Sequence, residues 1–182
     1  MADCVKALKE WTGKANTTII YDSTVDAFTL DGLFNKVKGK RNIAVIGFTT
    51  DGDVFGGFYS VAVMELDRES HDPNIFAFSF ESHGRCKTPQ RFYVKEGPKK
   101  DQRALTCFHK YNASGFVEFS VSGCGSFWLG NERSRSNCQS MSRAFQGIQN
   151  TTLTGKSGSF NRGPFQRGPF HHCTRLVAIQ LS

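Results

Sequence analysis

Apolar residues recur at helical spacing near the start of this chain and at strand-like spacing through most of the rest. Val5, Leu8 and Trp11 fall three apart, with Gly13 where a C-cap would lie, and predict a short amphipathic helix. Residues 18 to 21 form a short apolar strand. Thr29 then stands where it can cap a second helix whose face is Leu30, Leu33, Phe34 and Val37, with Gly39 ending it. Residues 42 to 49 are apolar enough for a buried strand. Asp51, Gly52 and Asp53 supply turn chemistry, and residues 54 to 64 run on as the return strand of a β-hairpin. Gly56 and Gly57 weaken such a strand unless something packs closely against the backbone, so they are expected to face a tight neighbour.

Further along, Phe76, Phe78 and Phe80 alternate with Ala77 and Ser79, the period of a half-buried strand. From 81 to 103 the chain is polar and basic around Phe92 to Val94, and further short strands are expected at 104 to 109, 115 to 122 and 125 to 129. Residues 136 to 148 suit a short helix or irregular turn, and 174 to 181 a last strand that closes the sheet. Helices early and many short strands later predict an α+β fold, an antiparallel two-sheet β-sandwich flanked by two or more short helices. Residues 155 to 172 break the pattern with a tandem Arg-Gly-Pro-Phe repeat. Glycine and proline at that density predict an exposed basic loop.

Length and composition narrow the picture. At 182 residues a single domain spanning the chain is expected. The opening segment lacks the apolar core of a signal peptide, and no later run approaches spanning length. A cytoplasmic protein, with access to the nucleus and no membrane insertion, is the expectation. The six cysteines lack C-x-x-C pairing and are expected to be reduced thiols, with Cys86 and Cys138 as redox candidates because arginine or lysine lies close by in sequence. Net charge is +7 overall, but residues 1 to 84 carry −4 and residues 85 to 182 carry +11. Such a division suits a polyanion-facing surface, and equally a solvated surface in which the fold mixes both halves.

Catalytic patterns fall short. Gly155-Lys156-Ser157 resembles the end of a phosphate loop, yet Asn150 stands where the first glycine should be. His83 with Cys86, Cys107 with His109, and His171-His172-Cys173 offer metal-ligand pairs without the spacing of a closed zinc module. A cysteine hydrolase needs a thiol beside an orienting imidazole, and sequence alone brings neither Cys124 nor Cys138 to a particular histidine. No enzyme activity, cofactor or metal is expected.

Basic and aromatic interleaving is the constellation whose chemistry needs least assembly. Arg162 and Arg167 are candidate phosphate-binding forks, and Phe165 and Phe170 candidate stacking platforms. Arg85, Lys87, Arg91, Lys99 and Lys100 form a second basic stretch. A DNA- or RNA-binding surface and a solvated loop with tucked phenylalanines both fit this pattern.

The strand holding Tyr21, the helix with Leu33 and Phe34, and the run Asp51-Gly52-Asp53-Val54-Phe55-Gly56-Gly57-Phe58 resemble the TLDc family, whose core turns at D-G-x-x-F-G-x-F. Phe76-Ala77-Phe78 matches a later F-x-F strand of that family, and Ser134, Cys138 and Phe145 resemble its serine, cysteine and phenylalanine cluster at a looser spacing. The resemblance covers residues 17 to 80 best, and it marks Asp51, Gly52, Phe55, Gly56 and Phe58 as the core motif, with phenylalanines filling the sandwich. It implies a non-enzymatic binding module in the oxidative-stress response, with a protein partner such as the cytosolic sector of the V-type ATPase. The alternative is a DNA-binding transcriptional regulator acting through the basic half.

Overall fold

The computed structural model describes residues 2–50, 52–82, 88–97, 104–110, 116–121, 125–131, 138–139, 141–148 and 173–182, with the backbone alone at 125, 138, 139 and 142. Helix α1 spans Ala2–Thr12 and α2 spans Leu30–Val37. The strands are β1 (Thr17–Asp22), β2 (Ile43–Thr49), β3 (Val54–Tyr59), β4 (Ser70–His71), β5 (Phe76–Glu81), β6 (Gln90–Tyr93), β7 (Ala104–Phe108), β8 (Val117–Val121), β9 (Gly125–Leu129), β10 (Cys138–Gln139) and β11 (Cys173–Leu181). One further helical turn, α3, covers Met141–Ala144. The larger sheet runs β1-β11-β2-β3-β5-β6 and the smaller β10-β9-β8-β7-β4, with antiparallel pairing throughout. The fold is the α+β two-sheet antiparallel architecture flanked by short helices that the sequence pattern predicts.

Local chemistry explains the helix and the hairpin. The Thr29 hydroxyl accepts a hydrogen bond from the Gly32 amide at 3.1 Å, capping α2. The buried face of that helix, Leu33, Phe34 and Val37, enters the core between the sheets, where Phe34 meets Phe108 at 5.4 Å between ring centroids. Between β2 and β3, Gly52 sits at φ +81° and donates its amide to the Thr49 carbonyl. Only a residue without Cβ takes that conformation readily. Asp53 closes the turn, donating its amide to the Thr49 hydroxyl at 3.1 Å.

Strand β3 separates two cores. Its Phe55, Gly57 and Tyr59 face the smaller sheet, where Phe55 and Tyr59 join Phe108, Phe119 and Phe127. A Cβ on Gly57 would stand 2.5 Å from Cδ1 of the Phe119 ring, so the smaller sheet packs against bare backbone here, the tight neighbour expected for this glycine. On the opposite face a Cβ on Gly56 would meet the Val45 carbonyl and the Phe78 ring.

That opposite face corrects the sequence reading of the phenylalanines. Phe58, Phe76, Phe78 and Phe80 do not fill the space between the sheets; they form a second core with Ala7 and Leu8 of α1. Trp11 lies parallel to Phe80 at 5.7 Å and edge-on to Phe76 at 6.1 Å. Strand β5 is accordingly buried on both faces, with Ala77 in the inter-sheet core, rather than half-buried as its alternation suggests. The alternation separates two apolar environments, with α1 supplying the one expected to be water.

Two other expectations change. The strand beginning at Val54 ends at Tyr59 instead of reaching residue 64, because the amide and hydroxyl of Ser60 both bond to the fully buried Asp72 carboxylate, the hydroxyl at 2.8 Å. The last strand, β11, does not close an edge of the sheet. It lies between β1 and β2, with Val177, Ile179 and Leu181 on the α1 side and Leu176 and Ala178 on the inter-sheet side. Arg175 fastens it to β1: its guanidinium bonds both oxygens of Asp22, one at 3.0 Å from Nε, and lies 5.3 Å from the centre of the Phe48 ring. No helix among the described residues is long and apolar enough to cross a membrane.

Gly57→Ala is expected to lower unfolding stability by about 1 to 3 kcal/mol, since either the Phe119 ring or the β3 backbone must move; an unchanged denaturant midpoint would count against this packing. The Arg175 hydrogen bonds hold the Asp22 carboxyl down from its ordinary 3.8 to about 2. A depressed folded-state value adds stability above pH 4 that is lost as pH falls toward 2. Asp22→Asn is therefore expected to be less stable at neutral pH and to show a flatter stability profile across that acid range in chemical denaturation.

Candidate functional site

On β7, side chains alternate between the inter-sheet core and the outer face of the smaller sheet. Ala104 and Phe108 point into the core, which places Leu105 and Cys107 on the outer face. His109 follows two residues after Cys107, beyond the end of the strand, and stays on the same side. On β8, Val117, Phe119 and Val121 take the core positions and leave Glu118 and Ser120 outward. The antiparallel register sets Cys107 opposite Glu118, and Glu118 opposite Trp128 on β9. The sequence thus assembles a thiol, an imidazole and a carboxylate from two neighbouring strands.

The Cys107 sulfur lies 3.7 Å from His109 Nδ1, and His109 Nε2 lies 2.8 Å from a Glu118 carboxylate oxygen. Cys107 is buried with 4% of its surface accessible, whereas the His109 and Glu118 side chains keep 23% and 19%. The sulfur and the carboxylate together push His109 up to about 10, against an ordinary value of 6.5 and against the opposing effect of its burial. Its imidazole is therefore cationic at neutral pH, with both ring N–H groups aimed at acceptors. A nucleophile, a proton carrier and an orienting acid stand in line.

The sequence offers Cys107 and His109 as a pair without the spacing of a closed zinc module, and gives no sign of Glu118. The available signal was the two-residue spacing on a strand together with the register of the β7–β8 hairpin. Among the described residues no group of three or more His, Cys, Asp or Glu is arranged to hold a metal ion. Of the other cysteines whose side chains are described, Cys4 is half-buried on α1 against the second core and Cys173 is buried beside Gly47 in the inter-sheet core.

The other expected site residues fall into three sets. Gly52, Phe55, Gly56 and Phe58 meet in the β2–β3 hairpin, where each serves the turn or a core. Arg91, on the exposed edge strand β6, donates to the Trp11 carbonyl at 2.8 Å and lies over the Tyr93 ring at 4.8 Å, tying that edge to the end of α1. Asp51, Arg85, Cys86, Lys87, Lys99, Lys100, Arg162, Phe165, Arg167 and Phe170 lie outside the described residues, as do the whole 155–172 loop, Ser134 and the Cys138 side chain. No protein-family model matches the chain, and no curated protein matches it.

The His109 imidazole is expected to remain protonated at pH 8 in a ring-nitrogen NMR titration. Its midpoint should fall toward 6.5 in Cys107→Ala and, separately, in Glu118→Gln. A midpoint near 6.5 in the parent protein would contradict the geometry.

Proposed function

We propose that this chain is a non-enzymatic TLDc-like binding module of the oxidative-stress response. The observation that carries this reading is the role of the motif behind the resemblance. Gly52 makes the hairpin turn, Gly56 and Gly57 admit close neighbours on opposite faces, and Phe55 and Phe58 fill the two cores. A motif used entirely for packing specifies a scaffold and leaves the exposed surface to select the partner. The resemblance points to a protein partner, with the cytosolic sector of the V-type ATPase the first to test.

The separation of charge favours a second reading, a nucleic-acid-binding transcriptional regulator, because the +11 half of the chain is suited to phosphate. Phosphate-dominated binding weakens steeply with salt, and docking through apolar contacts does not. Tagged protein incubated in cell extract, washed at low and high salt with and without nuclease, and probed for cytosolic V-type ATPase subunits separates the two. Retention of those subunits through nuclease and high salt is the expected outcome. Recovery of nucleic acid with loss of every partner on nuclease treatment would favour the regulator, and failure to retain either would overturn both readings.

A further inference from the structure

We propose that Cys107, His109 and Glu118 form a peroxide-reactive thiol site, in which hydrogen peroxide or a comparably small hydroperoxide oxidises Cys107 to the sulfenic acid. The inference rests on the placement of three side chains on the outer face of the smaller sheet and does not depend on which partner the module binds.

The geometry supplies each part that such a reaction needs. The reactive form of a cysteine sulfur is the thiolate, which a cation beside it favours in general. His109 Nδ1 is 3.7 Å from that sulfur, and Glu118 holds Nε2 at 2.8 Å, fixing the ring so that one N–H stays directed at the thiol. Glu118 is itself fixed by strand pairing, directly opposite Cys107. Around them on the same face the register places Leu105, Ser120, Ser126 and Trp128, with His71 of β4 opposite Leu105.

Burial selects the substrate. Cys107 keeps 4% of its surface accessible, which favours a substrate as small as a peroxide over an acyl group or a peptide. The half-open imidazole and carboxylate mark the side from which a small oxidant enters. In the step itself the thiolate sulfur attacks one peroxide oxygen. An S–O bond forms as the O–O bond breaks, sulfur is oxidised by two electrons, and the peroxide is reduced. The departing hydroxide takes the proton from His109 Nδ1 and leaves as water, so thiolate, imidazolium and peroxide give sulfenic acid, neutral imidazole and water. Regeneration of the ring needs one proton from solvent, to which His109 is open.

This arrangement differs from the redox chemistry expected of Cys86 and Cys138, which rested on basic neighbours in sequence. Here the activating cation is a histidine two residues further along the chain, just past the end of β7, and its orienting partner comes from the next strand.

The test is native-state oxidation by dilute hydrogen peroxide, stopped with catalase and followed by unfolding in urea with dimedone so that trapping needs no access to the buried sulfur, and mapped by peptide mass spectrometry. Cys107 is expected to label before Cys4 and Cys173, and faster than the same cysteine in the urea-unfolded chain despite its burial. His109→Asn should slow Cys107 labelling by about tenfold or more. Glu118→Gln, which keeps the imidazole but loosens it, should slow labelling less and lower the His109 titration midpoint in the same sample. If His109→Asn does not keep the parent melting temperature, Glu118→Gln becomes the deciding variant. Labelling of native Cys107 no faster than in the unfolded chain, or undiminished in a folded His109→Asn or Glu118→Gln protein, would overturn the proposal.

Discussion

Two adjacent positions without a side chain determine how closely the layers of this protein can approach. At Gly57 the Phe119 ring lies against the backbone of β3, and at Gly56 the other face of the same strand meets Phe78 and the β2 carbonyl of Val45. A β-carbon at the first would push the smaller sheet away. At the second it would push against the layer under α1. Because interiors are packed to crystal-like density, a displacement of that kind is felt by every contact in the affected layer. The placement of Tyr59, Phe108 and Phe127 on one side and of Trp11, Phe58 and Phe76 on the other depends on these two gaps.

Much of the element order was legible because local chemistry and the global fold agree. The Thr29 cap, the Leu33-Phe34-Val37 face and the turn at Gly52 each act where their sequence signals stand. The errors arose where a neighbour far along the chain changes the environment. Alternation in Phe76 to Phe80 cannot reveal that a helix seventy residues earlier covers the face expected to be wet, since period two reports two faces and not what lies against them. The end of β3 is likewise decided by Asp72, a partner twelve residues away from Ser60.

The thiol site follows the same division. Cys107 and His109 were visible as a pair, and their spacing on a strand already placed them on one side of the sheet. Glu118 became relevant only through the register of the hairpin: β8 alternates, but β7 is buried at every position, so its pattern does not show which β8 residue stands opposite Cys107. The basic stretches show a different limit. Arg91 reads as a phosphate contact in isolation, yet its guanidinium is held by the end of α1 and the Tyr93 ring. A charge count treats that residue as free for a ligand when it already has an anchoring role.

The position of β11 bears on how the chain acquires its structure during synthesis. The only described strand beside β1 is β11, and β11 also separates β1 from β2, so residues 17–22 have no sheet neighbour until residues 173–181 have left the ribosome. Pairing over so great a distance along the chain carries a large loop-closure cost and slows folding. The hairpin of β2 and β3 can form as it emerges, but the larger sheet is completed only after translation has passed β11. Until then β1 and the outer edge of β2 present unpaired backbone, and this nascent interval is when the protein has most need of a chaperone.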